Sequence, residues 1–232
     1  MAMPQLVRSQ ASGRELTMAG VGAIAALAWA AGAVNALGYI VVGDVFTSHV
    51  SGDASAVVVA LIAGGGGDTV RRILVVAAFF GGALFGALLI ERHRSHSAAG
   101  TLWCETALLC LAAWPSRQTP VVIDYRLISV AAAMGIQNIA LAGSAMSAHT
   151  THITGPLTDF AGVVVRKLVG RRELSRDRSH GLLVYGGRVA AFVVGVATGA
   201  GLARFGSTAL LVPAAAIASI AVVMWRAAPA QP

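Results

Sequence analysis

Long apolar runs separated by short polar links constrain this chain more than any other feature of its sequence. The runs cover about 17–43, 48–66, 73–91, 98–114, 127–146, 150–169, 182–203 and 207–225. A helix needs about 17–25 such residues to cross a bilayer, so most runs are long enough and 98–114 is marginal. Only helices and closed barrels satisfy their backbone in hydrocarbon, and these runs lack strand-like alternation. The pattern predicts an all-α integral membrane protein, a multi-span helical bundle.

Charge supports this reading and sets an orientation. Charged residues make up only 12% of the chain, against about 25% in soluble domains. The net charge of +7 could suggest a nucleic-acid partner. The basic residues cluster between apolar runs, however, as cytoplasmic loops do, so we expect the lipid bilayer as partner and no nucleic acid. The same rule places the N-terminus and the Arg171–Arg178 loop in the cytoplasm.

The number of spans has two readings, six and eight. Eight follow if every run crosses, and six if runs 48–66 and 150–169 only dip in and return. Eight is favoured, because it leaves more of the Lys and Arg residues on the cytoplasmic side.

A short motif occurs twice, at residues 47–53 (Thr-Ser-His-Val-Ser-Gly-Asp) and 150–156 (Thr-Thr-His-Ile-Thr-Gly-Pro). An asparagine precedes each copy at the same distance. The spacing between copies is constant at 103 residues for Asn35/Asn138, Thr47/Thr150, His49/His152 and Gly52/Gly155. A second pattern, Phe-x-x-Gly-x-x-x-Gly, occurs at 79–86 and 192–199. The chain therefore reads as two sequence repeats.

The repeats predict a domain plan. It consists of a cytoplasmic tail at 1–16, membrane repeats at 17–114 and 127–226, a polar linker at 115–126 and a short tail at 227–232. Four spans per repeat make the two halves parallel, and three make them inverted. Glycines four apart let helices approach closely in lipid, so we assign helix packing to Gly82, Gly86, Gly195 and Gly199.

The duplicated motif is the candidate substrate-binding site. An amide in hydrocarbon is costly unless paired, so the asparagines either join helices by hydrogen bonds or line a polar path. The glycines suggest helix N-termini, which attract anions or carboxylates, or which the motif hydroxyls simply cap. We expect the two copies to meet near the repeat axis. The candidate residues are Asn35, Thr47, His49, Ser51, Gly52, Asp53, Gln137, Asn138, Thr151, His152, Thr154, Gly155 and Asp159.

Metal and catalytic sites are not predicted. His149 and His152 lie three apart, but the first copy has no matching pair, and Pro156 stands where the first copy has Asp53. A titrating histidine is a better reading than a metal ligand. Recognisable hydrolase, metalloprotease and nucleotide fingerprints are missing. We therefore expect neither an enzyme nor a cofactor, with an intramembrane enzyme as a third alternative.

Two charges remain inside spans, Glu105 and Arg188. They either pair with each other or extend to water.

The motifs also carry a resemblance. Ala31–Tyr39 with His49–Asp53, and Gly135–Asn138 with Thr150–Asp159, resemble the two halves of the YoaK family of bacterial inner-membrane proteins, over nearly the whole chain. That family usually has Thr-Gly-Asn where this chain has Ser51-Gly52-Asp53. The resemblance implies a multi-span inner-membrane protein of unknown function and supplies no site residues.

Together these features lead to one hypothesis and one alternative. The hypothesis is a small-solute transporter or channel whose site is the duplicated motif, with an anion or carboxylate slightly favoured as substrate. The alternative is a non-transporting membrane scaffold whose motifs only cap and pack helices. Whether the protein forms an oligomer stays open.

Overall fold

The computed structural model describes residues 18–92, 97–114, 125–142, 154–168 and 182–227, and every regular element in these ranges is helical. The all-helical prediction is confirmed for them. Two π-helical turns, Gly38–Gly43 and Leu182–Gly186, and a 3-10 segment, Ala203–Leu210, connect some of the α-helices. The α-helices are α1 (Met18–Leu37), α2 (Val50–Ile62), α3 (Gly67–Arg92), α4 (Ser97–Ala113), α5 (Tyr125–Ala142), α6 (Thr154–Leu168), α7 (Gly187–Leu202) and α8 (Leu211–Ala227).

Three helical stretches of the described chain are long and apolar enough to cross a membrane: Gly20–Gly43, Gly67–Arg92 and Val184–Ala227. The third contains α7, the 3-10 segment and α8, and it is interrupted at Gly206, whose φ of 65° is not helical. Large apolar side chains on α3, such as Phe80, Leu84 and Leu88, are exposed. An apolar outer surface of this kind suits contact with lipid.

Helices α1 and α5 run in opposite directions. The Gln137 side-chain amide donates a hydrogen bond to the Leu27 carbonyl at 2.8 Å. Ten residues earlier on α5, Leu127 packs against Val42 and Gly43, beyond the end of α1. Moving forward along α5 therefore means moving backward along α1.

Helices α4 and α8 are also antiparallel. The Ser207 hydroxyl, just before α8, donates to the carbonyl of Ala113 at the end of α4, at 3.2 Å. Near the other end of the pair, Trp103 lines one cavity with Trp225 and Arg226. The end of each helix thus lies beside the start of the other.

These directions do not confirm the favoured eight-span arrangement. Four crossings would separate α1 from α5 in that arrangement, so the two helices would run the same way. The physical reason lies in α2, which has 13 residues and is about 20 Å long, short of the ~30 Å hydrocarbon core. The chain enters α2 beside the end of α1 and begins α3 five residues after α2 ends.

The two largest helix contacts, α1 with α7 and α3 with α5, are built in the same way, with a glycine of one helix against a backbone carbonyl of the other. A Cβ added at Gly82 on α3 would overlap the Ala132 carbonyl on α5, and one at Gly195 on α7 would overlap the Trp29 carbonyl on α1. Gly195 lies 113 residues after Gly82, and Ala132 lies 103 residues after Trp29. The same offsets relate the two repeats in the sequence.

A second pair of contacts follows the same rule. A Cβ at Gly135 would overlap the Phe79 carbonyl, and a Cβ at Gly32 would overlap the Phe192 carbonyl. The first long helix of each half therefore packs against the third helix of the other half. Gly86 and Gly199 lie in these same contacts, facing Ile136 and Ala33.

Candidate functional site

The first copy of the motif lies between the end of α1 and the start of α2. The chain turns at Asp44, whose φ is 55° and whose N–H donates to the Tyr39 carbonyl at 2.9 Å. It then folds back so that Thr47 rests on Gly38, where a Cβ would lie 2.9 Å from the threonine methyl carbon. Glycine at position 38 thus lets the motif pack directly onto the helix.

Asn35 holds this segment in place. Its side-chain oxygen accepts hydrogen bonds from the Ser48 N–H at 3.3 Å and from the Ser48 hydroxyl at 3.2 Å. Both residues are buried. Of the two alternatives set out for the asparagines, a structural hydrogen bond is present at Asn35, and Ser48 of the motif supplies it.

An ion pair ties the start of α2 to α3. The Arg72 guanidinium lies 2.6 Å from one carboxylate oxygen of Asp53, and the two side chains are 33% and 4% exposed. Asp53 stands in the first turn of α2, where its negative charge also meets the positive end of the helix dipole. The sequence analysis did not include Arg72 in the site. The feature that could have pointed to it is a basic residue in the early part of α3, the helix that follows the short α2.

Two buried oxygens of this site have no hydrogen-bond partner among the described residues. They are the Thr47 hydroxyl oxygen and the second carboxylate oxygen of Asp53. Buried polar atoms are nearly always hydrogen-bonded. The site therefore offers two oxygens that could accept hydrogen bonds from a polar ligand.

The remaining residues of the first motif lie outside this buried cluster. His49, Ser51 and Gly52 are exposed. The His49 ring meets the edge of Phe46 at 5.2 Å, and Phe46 stacks on Tyr39 at 4.5 Å. The structure thus divides the predicted site into a buried part and an exposed part.

The second copy is only partly described. Thr151 and His152 lie outside the described residues, as does His149. Thr154, Gly155 and Asp159 are exposed on α6. Asp159 and Tyr185 lie within electrostatic reach of the buried Arg188 on α7. Each half therefore brings an acid of its short helix near an arginine of the helix that follows.

The two asparagines do not lie side by side, and the expectation that the two copies meet stays a prediction. Gln137, next to Asn138, bonds to Leu27. Asn35 lies eight residues further along α1 than Leu27, a rise of about 12 Å. The reason is the opposite direction of α1 and α5, which carries equivalent residues towards opposite ends of the bundle.

Glu105 on α4 is fully buried, and no ion pair of the described chain involves it. The two alternatives set out for Glu105, pairing with Arg188 or extension to water, are therefore both wrong.

Groups of three His, Cys, Asp or Glu residues that could hold a metal are not found within the described ranges.

The described residues form apolar helices, which suggest a membrane protein, and the comparisons with known proteins add the family. The family model described as "Protein of unknown function (DUF1275)" matches residues 23–224, and the chain belongs to this family. No curated protein and no solved structure gives a match. The more specific resemblance to the YoaK family stays a prediction.

Proposed function

We propose that this protein is a small-solute transporter of the bacterial inner membrane, built from two inverted repeats. The proposal rests on two equivalent glycine contacts between the halves, Gly82 with Ala132 and Gly195 with Trp29. Their residues are related by the same offsets, 113 and 103, that relate the two sequence repeats. Inverted repeats with short helices beside the site are typical of transporters. The proposal includes no enzymatic activity and no cofactor.

Six helices cross in this arrangement, α1, α3, α4, α5, α7 and α8, with the N-terminus in the cytoplasm. α4, with 17 residues, is about 26 Å long and still spans most of the core. The short helices α2 and α6 then belong to opposite sides of the membrane. Non-helical backbone at membrane depth is tolerated where protein buries it, and the buried Thr47 and Ser48 meet that condition.

Each half then carries one polar cluster, and the two clusters lie near opposite ends of the bundle. They act as two gates of the solute pathway rather than as one shared site. The anion preference loses support at the first gate, because Asp53 already places a carboxylate at the start of α2. The unpartnered oxygens of Thr47 and Asp53 instead favour a small polar solute that donates hydrogen bonds.

The Thr47→Val substitution tests this proposal. It removes the buried hydroxyl and keeps the side-chain volume. Because that oxygen has no partner among the described residues, we expect the melting temperature in detergent to stay equal or rise. Solute flux into proteoliposomes, measured with a panel of small polar solutes, should fall about tenfold, as for the loss of one ligand hydrogen bond of about 1.4 kcal/mol.

Ser55→Ala is the matched control. Its hydroxyl lies on the exposed face of α2, the helix that follows Thr47, and donates to the Ser51 carbonyl, so flux should be unchanged. Equal flux for wild type and Thr47→Val, with both well above empty vesicles, would remove Thr47 from the pathway. Wild-type flux no higher than that of empty vesicles across the panel would contradict transport itself.

A non-transporting scaffold is the second candidate, and one observation favours it. The Asn35 oxygen is engaged by both donors of Ser48, as a purely structural amide would be. A scaffold predicts no flux for any solute. It also predicts that motif substitutions act only on stability.

A further inference from the structure

Glu105 is the most unusual charge-bearing residue in the described chain. Its side chain is 0% exposed, and neither carboxylate oxygen has a hydrogen-bond partner among the described residues. It shares a face of α4 with Leu102, Leu109 and Ala112, all fully buried. A carboxyl group in such surroundings has nothing to balance a negative charge.

The charge state follows from burial. Moving an ionised carboxylate out of water without a partner costs several kcal/mol even after relaxation, and such a group takes up a proton instead. A metal cation would need several further oxygen ligands around the carboxylate. The face that Glu105 shares is apolar except for the buried Thr101, whose hydroxyl donates to the Ala98 carbonyl. Glu105 therefore carries a proton in the conformation described.

Charged neighbours do not change this result, because they stand at helix ends. Glu105 lies eight residues from each end of α4, which is about 12 Å. Cys104, the adjacent residue, lines an apolar groove with Phe85 and Ile136. The elements that pack against α4 carry their ionisable groups near their own ends: Tyr125 and Arg126 on α5, Asp68, Arg71, Arg72, Glu91 and Arg92 on α3, Arg204 in the 3-10 segment and Arg226 on α8.

The position of Glu105 is also central. It lies near the middle of α4, where α4 packs against the antiparallel α8. These are the last long helices of the two halves. A shift of one half against the other changes this contact and with it the surroundings of the carboxyl group.

We propose that Glu105 is a proton-binding site of the bundle, which holds a proton when the two halves are closed around it and releases it when they move apart. Ionisable groups inside membranes commonly serve as proton relays. If the protein is the transporter proposed above, this proton couples to the solute. The site itself is tested without any solute.

The test uses the full-length protein in liposomes and the apolar reagent dicyclohexylcarbodiimide, which reacts with a protonated carboxyl group in an apolar site. Intact mass should show one adduct per chain in wild type and none in Glu105→Gln. Labelling should slow as pH rises, about tenfold for each unit above the midpoint of the titration. The control Glu91→Gln, which changes an exposed acid, should label like wild type.

Two results would overturn the proposal. One is an adduct that persists in Glu105→Gln. The other is a folded wild-type protein that stays unlabelled at every pH while the unfolded chain reacts at Glu105, since a permanently sealed acid exchanges no proton. Labelling at Glu105 together with an absence of solute flux would keep the proton site and refute transport.

Discussion

Replacing Arg72 with alanine should destabilise the protein by about 1–3 kcal/mol, the cost of leaving the buried Asp53 carboxylate without its hydrogen-bond partner. The Asp53 side chain is 4% exposed and contacts Arg72 at 2.6 Å. Without the guanidinium, the carboxylate either stays buried without a counter-charge or must take up a proton. The free energy of unfolding, measured by denaturation in mixed micelles, checks this value.

Arg71→Ala is a matched control, because Arg71 is the adjacent, exposed arginine. We expect it to change stability by less than about 0.5 kcal/mol. The double variant Arg72→Ala with Asp53→Ala removes both charges and should recover part of the loss. Equal effects of Arg71→Ala and Arg72→Ala would show that the ion pair does not hold α2 against α3.

Replacing Gly82 with alanine should cost about 1–3 kcal/mol, as overpacking of a tight contact does. The new methyl group would overlap the backbone carbonyl of Ala132, which cannot move without separating α3 from α5. Gly195→Ala should cost a similar amount, because it would overlap the Trp29 carbonyl in the equivalent contact. Thermal unfolding in detergent compares the two variants.

Gly81→Ala is the control for this pair. A methyl group at Gly81 would meet nothing within 4 Å among the described residues, and alanine gains about 1 kcal/mol over glycine inside a helix. This variant should therefore be as stable as wild type or more so. Equal losses for Gly81→Ala and Gly82→Ala would mean that α3 does not pack against α5 through Gly82.

The equivalent glycine contacts illustrate how much of the fold the sequence could predict. A fixed offset between matching glycines indicates a duplication, and the helical character follows from apolar run length. Neither feature gives the direction of the second half. That direction depends on whether residues 48–66 cross the bilayer, and the helical part proved to be only Val50–Ile62.

The candidate site shows the same limit. Asn35 and the motif hydroxyls were identifiable because polar residues stand out in apolar runs. The partner of Asp53 was not, since Arg72 lies 19 residues away, beyond a run whose crossing of the membrane the sequence leaves open. Glu105 was identifiable as a charge inside a span, but its burial without a partner depends on how α4 packs against α5 and α8.

The central claim is that the two halves are inverted, because α2 returns to the side from which it came. In a chain with Cys104 and Cys110 replaced by alanine, Asp44→Cys and Gly66→Cys place single thiols before and after α2, both at exposed positions. Ala227→Cys, after α8, serves as the control for the cytoplasmic side.

Labelling with a membrane-impermeant maleimide in right-side-out and inverted vesicles gives the side of each thiol. We expect Asp44→Cys and Gly66→Cys to react from the same, external side, and Ala227→Cys to react from the cytoplasmic side. Reaction of Asp44→Cys and Gly66→Cys from opposite sides would show that α2 crosses the membrane, and would contradict the inverted architecture.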